Sequence, residues 1–426
     1  MSNHAPAGAM KQRLPTDWKG KAMQKRIAAR YASERRFRLV GLGAILLSAG
    51  FLAFLILSML ASGLGGFTRT EIAVKFDFPH AAILIDPATL KDGNADRVLA
   101  NANLPAVTEQ AADATLGAGG GNLLSSSAWL TVRDAIKADP TILQRTETIS
   151  LPASAEIDLA AKDKGSKEAE AAYAKLKQGD HVSRAFNSTF LTSSDATDPT
   201  QVGIWGAFKG SLLTMAVTLL LSFPIGVLAA LYLEEYAPRN RWTDMIEVSI
   251  NNLAAVPSII FGLLGLAVFL NVMHLPRSAA LVGGLTLALM TMPVIVIAGR
   301  NAIKSVPPSI RDAALGIGAS PIQVVFHHVL PLALPGIMTG TIIGMARALG
   351  ETAPLLMIGM RAFIASPPGG VTDPATVLPV QIFLWSDEVS KGFVEKTSAA
   401  IIVLLLFLLG MNSIAIYLRN KFEKRW

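Results

Sequence analysis

The chain has 426 residues, 51% hydrophobic and only 16% charged, with a mean hydropathy of +0.45. That excludes an ordinary soluble globular protein, because the apolar residues gather in long blocks. The absence of cysteine excludes disulfides, thiol catalysis and thiolate metal sites, and the net charge of +7 comes from basic residues beside apolar blocks, which points to membrane orientation rather than nucleic acid.

The first 38 residues form a basic segment with ten Lys and Arg. A bilayer core about 30 Å thick needs about 20 apolar residues in a helix. Six segments meet this, at 39–62, 206–232, 248–272, 279–299, 333–360 and 397–417. The expectation is an all-α polytopic membrane protein. The first apolar run is too long for the core of a cleaved signal and is read as a span. With the N-terminus inside, nineteen Lys and Arg lie on the cytoplasmic side, against four in the short outer loops. Both termini are therefore expected in the cytoplasm. Trp205, Trp242 and Trp385 fall near span ends, where amphipathic rings settle.

Residues 63–202 are polar and predicted to lie outside. Strand-like runs (IAVKFDF, AAILID, TETISL) alternate there with helix-like ones (SSAWLTVRDAIKAD, KEAEAAYAKLKQ), which predicts a small mixed α/β extracytoplasmic module. Its GAGGGN at 117–122 could cradle a phosphate group but is more simply a loop. The domain plan is a basic N-terminal segment (1–38), a first transmembrane helix (39–62), the module (63–202), a transmembrane domain (203–420) with a cytoplasmic loop at 300–332, and a tail (421–426). Pro224, Pro257 and Pro293 are expected to kink their spans. The histidines, His4, His80, His181, His274, His327 and His328, lack ligand spacing with carboxylates, so no metal site is expected.

Between the fourth and fifth spans lies VPPSIRDAALGIGASPIQVVFHHVLPLALPG. Pro307 and Pro308 open a helix, Gly316 and Gly318 supply a turn, and Ser320 caps a second helix with Pro321 at its first position. Pro331 and Pro335 are expected to end that second helix. Its small apolar residues, Ala313, Ala314, Ile317, Val324 and Val325, need burial against the chain itself or a soluble partner.

This stretch resembles the EAA loop of bacterial ABC-importer permeases: an acidic residue, two alanines, three residues, glycine, nine residues, then isoleucine, one residue, leucine and proline. Asp312, Ala313, Ala314, Gly318, Leu330 and Pro331 match. Asp replaces the usual Glu at 312, and His328 stands where isoleucine is usual. Together with YLEEYAPRNR (232–241), AAVPSIIFGLLGL (254–266) and RALGETAPLL (347–356), it is similar to the PstA family of phosphate-import permeases over residues 203–420. Residues 1–202 resemble the N-terminal extension of a subset of that family. The resemblance implies six transmembrane helices of the type I ABC-importer kind, and a permease subunit for inorganic phosphate rather than an enzyme. It further implies an ATPase docked at the EAA-like loop, a second permease resembling PstC, ATPases resembling PstB and a periplasmic binding protein resembling PstS.

ARALGETAPLL places Arg347 and Glu351 inside an apolar stretch, about halfway through the fifth predicted span, four residues apart and on one helix face. A centred Arg costs about 2.5–3.5 kcal/mol on insertion scales. The pair is either a buried register-fixing ion pair or part of a polar pathway for an anion, to which Arg offers a planar fork of donors. Glu351 would balance the arginine, carry a proton or hold it in place; Thr352 adds a hydroxyl. Pro354 is expected to expose backbone carbonyls. Arg300 is expected to snorkel to the cytoplasmic interface, and Glu234 and Glu235 to form a solvated cap or a loop contact. FKGS at 208–211 has the wrong residue order for a Walker A loop. No cofactor is therefore expected on this chain, and ATP is expected on a partner subunit. The chemistry alone leaves open a permease for another oxyanion, or a membrane sensor with an extracytoplasmic ligand domain.

Overall fold

A computed structural model of the chain describes residues 20–81, 85 and 95–422. It divides into two compact units, Met1–Ser58 and Met59–Trp426. Most of the first unit is α1 (Lys21–Gly63), a 43-residue helix. At 1.5 Å per residue it is about 65 Å long, roughly twice a bilayer core. The predicted span 39–62 is its second half; the first half carries the basic residues. Its large apolar side chains, such as Phe51 and Phe54, are exposed.

The second unit opens with an α/β module. A three-stranded antiparallel sheet has the order β2 (Thr146–Pro152), β1 (Thr68–Asp77), β3 (Val182–Phe186). Along β1, Thr70, Ile72, Val74 and Phe76 alternate into the core, as period-2 patterning requires. Register sets Ile72 opposite both Leu151 and Val182. The short α2 (Ala95–Ala100), α3 (Leu104–Leu116), α4 (Ala128–Ala138), α5 (Ala155–Ala160) and α6 (Lys167–Gln178) complete this layer. The core gathers Leu99, Leu104, Val132, Ile136, Ile157 and Leu176 from these helices. The AAILID run lies almost wholly outside the described residues. In the 117–122 loop, Gly117 and Gly119 have φ of 95° and 85°. The Gly121 amide donates to Asp113 Oδ1 at 3.0 Å. The loop is thus a turn that closes α3, and this amide already has a partner.

The module joins the helical domain through α7 (Ser188–Thr192) and residues 193–204. Asp198 accepts five hydrogen bonds, from Ser125, Ser126 and Ser127 hydroxyls and from the Thr200 amide and hydroxyl, at 2.6–3.1 Å. Burial pushes its pKa up, but these donors outweigh burial and hold the carboxyl below the usual carboxylate range. Its stabilisation is therefore complete above about pH 4 and lost as pH falls through the lower folded value. Asp198→Asn should lower stability by about 1–3 kcal/mol near neutral pH. Thermal unfolding in detergent should show that gap narrowing toward about pH 3. A gap that stays constant with pH would assign the effect to packing instead.

The helical domain has α8 (Trp205–Leu231), α11 (Ala280–Lys304), α14 (Leu330–Leu349) and α17 (Lys391–Phe422) as its long members. Between them lie α9 (Arg241–Ala254), α10 (Ser258–Gly265), α12 (Pro308–Gly316), α13 (Pro321–Gln323), α15 (Ala353–Met357) and α16 (Leu378–Ser386). Among the described residues, five helices can cross a membrane by length and composition, or six if one bent pair counts as a span. α11 is central: 67% of its most apolar window is buried, against 11% for α17. Gly336, Gly340 and Gly344 of α14 press on Ala302, Ala298 and Thr291 of α11, small faces that let the helices approach closely. Thr218 of α8 reaches the Gly284 carbonyl of α11 at 3.3 Å.

Three details differ from the sequence expectation. The third segment, 248–272, is no straight span: α9 and the Ser258–Val272 helix meet at 100° beside Pro257. Pro331 and Pro335 do not end the second helix of the 300–332 loop, because Pro331 sits in the first turn of α14 and Pro335 is carried inside it. The helical path from Pro321 is continuous to Leu349. Trp385 is only 2% exposed, packed with Phe190 and Phe393, and its Nε1 donates to Asp195 at 3.0 Å. A satisfied ring nitrogen suits a core tryptophan, so spacing near a span end was a poor guide to its place.

Candidate functional site

The fifth predicted span, 333–360, is broken. α14 ends at Leu349, Gly350 and Glu351 turn the chain, and Thr352 precedes the short α15 with Pro354 in its first turn. The turn segment is wedged against glycines of its neighbours: Pro354 on Gly262, Ile358 on Gly265, and Leu355 and Met360 on Gly283. Pro354 thus starts a helix rather than interrupting one, and at the end of α14 the Arg347 and Ala348 carbonyls accept from the Gly350 and Glu351 amides at 3.1 and 3.2 Å.

Arg347 therefore lies in the last turn of α14, not at mid-span. Ala348 and Leu349 face Leu287 across a small shared cavity. Leu287 is about 10 Å along α11 from Ala280, counting 1.5 Å per residue. The middle of α11 is five residues, about 7 Å, farther on, so the arginine is displaced toward the Ala280 end but lies nearer the centre of the bundle than that end. A cation at a helix C-terminus also meets the negative end of the helix dipole.

Arg347 and Glu351 meet, Nε to Oε1, at 3.5 Å. The contact is long for a charge-assisted bond. The Arg347 side chain is 48% exposed and Glu351 17%. Nη1 and Nη2 of Arg347 have no hydrogen-bond partner among the described residues. Thr352 is half-buried and its carbonyl accepts from Leu356 at 3.0 Å, but its hydroxyl bonds to neither charged group. The geometry presents a guanidinium edge outward from an otherwise apolar bundle, held from behind by one carboxylate.

The second candidate surface is the α12–turn–α13 unit. Pro308 is in the first turn of α12, Gly318 turns the chain at φ 89°, and Ser320 forms a capping box with Gln323. Of the predicted residues, Asp312, Ala313 and Gly318 are exposed, Ala314 is buried, and Leu330 and Pro331 are half-buried at the start of α14. Val324 and Val325 are buried in the chain's own core, with Ala314. Ala313 and Ile317 of the predicted apolar set face out, Ile317 83% exposed, and are joined there by Leu315, Ile322 and Phe326.

Sequence reasoning underrated the charges around this unit. Glu234 and Glu235 sit in the π-helical stretch Tyr232–Tyr236 that ends α8. Glu234 pairs with Arg300 at 3.3 Å, and Arg300 also reaches Glu247 of α9 at 2.8 Å. Glu235 pairs with Arg311 of α12 at 2.7 Å, both side chains mostly buried. Of the two readings of these glutamates, a solvated cap or a loop contact, Glu235 makes the loop contact, and Arg300 is paired with two carboxylates. The only sequence signal was the doubled Glu in YLEEY.

Comparisons with known proteins agree with this layout. Residues 222–426 match the family described as binding-protein-dependent transport system inner membrane component, and residues 24–171 match a domain of unknown function, DUF3333. The chain is 30% identical to the phosphate transport system permease protein PstA of Haemophilus influenzae over 54% of this chain and 79% of that one. It is 33% identical to PstA 1 of Mycobacterium tuberculosis, covering 37% of this chain and 51% of the relative. It is 34% identical to the probable ABC transporter permease protein YqgI of Bacillus subtilis, covering 39% and 56%. The chain thus spans about half the length of the Mycobacterium and Bacillus relatives. The MetNI methionine ABC transporter in an inward-facing conformation superposes with a TM-score of 0.42 at 18% identity, over 52% of this chain and 98% of that one, a fit too loose to argue from. With nearly four-fifths of a curated PstA spanned at 30% identity, the chain belongs to the PstA-like family of ABC permeases, as a multi-pass inner-membrane protein.

Proposed function

We propose that the chain is one permease subunit of an ATP-driven importer of inorganic phosphate, forming half of the transmembrane pathway. The observation that carries this reading is the half-exposed Arg347, whose Nη groups are free of partners among the described residues while Glu351 holds its Nε. A planar fork with open donors matches tetrahedral oxyanion oxygens. The similarity to the phosphate transport permeases of Haemophilus and Mycobacterium supports phosphate as the anion.

On this reading Arg347, Glu351 and Thr352 line the substrate path. Asp312, Ala313, Ala314, Gly318, Leu330 and Pro331 belong to the surface that couples to an ATPase, with Leu315, Ile317, Ile322 and Phe326 as its apolar contacts. ATP is bound and hydrolysed on that partner. A second permease resembling PstC would complete the path, ATPases resembling PstB would drive it, and a periplasmic protein resembling PstS would deliver phosphate. Both termini lie in the cytoplasm, which the excess of Lys and Arg in the basic segment and loops supports. The α/β module then faces outward.

The test is uptake of radiolabelled phosphate by cells whose only phosphate importer contains this chain. Uptake that survives excess unlabelled sulfate and molybdate is the expected result. No uptake with all partners present, or uptake that sulfate competes away, would reassign the substrate.

A further inference from the structure

Arg311 contacts three elements at once. It projects from α12, the helix proposed to meet the ATPase. Its Nη2 and Nε donate to Glu235 at 2.7 and 3.2 Å, at the π-helical end of α8. Its Nη1 donates to the Val306 carbonyl at 2.7 Å and its Nη2 also to the Ile303 carbonyl at 3.0 Å, both at the end of α11. The Ile303 carbonyl is one of the last four of α11, at the negative end of the dipole, and also accepts from the Val306 amide at 3.2 Å, while the Val306 carbonyl lies in the link just beyond the helix. A planar guanidinium spreads its donors over a wider fork than the compact ammonium of a lysine, and here that fork spans a carboxylate and two carbonyls from separate segments. The side chains are 22% and 11% exposed.

The neighbouring residue extends the same arrangement. Successive helical residues point about 100° apart. Glu235 therefore faces α12, while Glu234 faces Arg300 of α11, with Lys304 3.6 Å away. The π turn supplies this fan at the place where α8 stops. Two adjacent carboxylates of α8 are thus each tied to a different cationic neighbour.

We propose that Arg311 and Glu235 form a clasp that makes α12 move as one body with the cytoplasmic ends of α8 and α11, so that displacement of the docked ATPase is passed to the spans rather than absorbed in the loop. Arg311 and Glu235 are positioning residues; neither touches substrate. The inference rests on the reading of α12 as the ATPase contact. It adds the specific link by which motion leaves that contact.

The test uses the whole transporter in lipid vesicles, with phosphate uptake and ATP hydrolysis measured on the same preparation. In Glu235→Gln and Arg311→Lys, ATPase subunits should remain bound and hydrolysis continue, while uptake per ATP falls ~tenfold or more, the factor that ~1.4 kcal/mol of lost coupling gives. An unchanged ratio would overturn the clasp, and loss of the bound ATPase would show a merely structural role. A second readout does not depend on substrate. The chain has no cysteine, so Ser309→Cys and Arg239→Cys, both exposed, can carry spin labels cleanly. Their separation should be single and narrow, with and without trapped ATP, and should broaden in Arg311→Met. Equal widths in the two proteins, or a shift on ATP trapping in the unmodified clasp, would overturn it. A transporter that never moves phosphate would defeat the functional reading alone, because the label widths still judge the clasp.

Discussion

Arg347→Gln is expected to abolish phosphate uptake while the complex still assembles at normal membrane levels. The expected loss is large because Gln keeps hydrogen-bonding capacity but removes the charge. Charge-assisted bonds are worth about 1.5–3 kcal/mol each. Losing two to a bound oxyanion would slow uptake by roughly a hundredfold or more. The structural cost should be small. Arg347 makes a single 3.5 Å contact and is 48% exposed, and such pairs contribute about 0–1 kcal/mol. This asymmetry separates the pathway role from a register-fixing ion pair, which would need the arginine buried and its donors satisfied. An arginine facing lipid would cost about 2.5–3.5 kcal/mol, so its open edge must meet water, substrate or a partner subunit. Arg347→Lys should keep part of the activity with weaker apparent affinity, since the charge remains but the fork is lost. Uptake measured beside a membrane blot decides the matter. A Gln variant missing from the membrane would return the pair to a structural role.

The parts of this molecule legible in sequence are those fixed by neighbours along the chain. β1 follows its alternation, α6 begins and ends with the KEAEAAYAKLKQ run, and the Ser320 cap is read from four residues. Misplacements arose where distant contacts decided. The apolar run through 333–360 looks like one span, yet the glycines of α10 and α11 accept a turn there, and α14 stops at Leu349. That moved Arg347 from mid-span to a helix end. Pro331 and Pro335 looked like stops because proline removes one backbone donor, but a helix start and an already packed helix both tolerate that loss. The third strand was missed, since VSRAF is short and only half-buried. No local pattern could join Glu235 to Arg311, 76 residues apart, or Lys162 to Glu395, 233 residues apart.

That last pair makes the second large prediction. Lys162 of the module donates to Asp158 at 2.7 Å, to Glu395 of α17 at 2.9 Å and to the Thr68 carbonyl at 3.0 Å. The side chains are 7%, 13% and 4% exposed for Lys162, Asp158 and Glu395. Lys396 lies beside them, its Nζ on the Gly66 carbonyl at 3.3 Å and 5.7 Å from the Phe190 ring centre. Two cations thus balance two carboxylates. Lys162→Met keeps the stem's volume but leaves the carboxylates in excess, and should cost about 3–5 kcal/mol, the toll of orphaning a buried charge. Lys162→Met with Glu395→Leu restores neutrality. Asp158 then still accepts from the Thr70 amide at 2.8 Å, so the double variant should regain most of the loss. A buried pair replaced as a pair by apolar groups is often nearly neutral. Thermal unfolding of the three proteins in mild detergent measures this directly. A double variant as unstable as the single one would mean that the pair itself, and not charge balance, fastens the module to α17. The distinction bears on function, because α17 closes the helical domain beside Trp385 and Phe393. A module held by balanced charge and packing moves with that helix, whichever residues supply the balance.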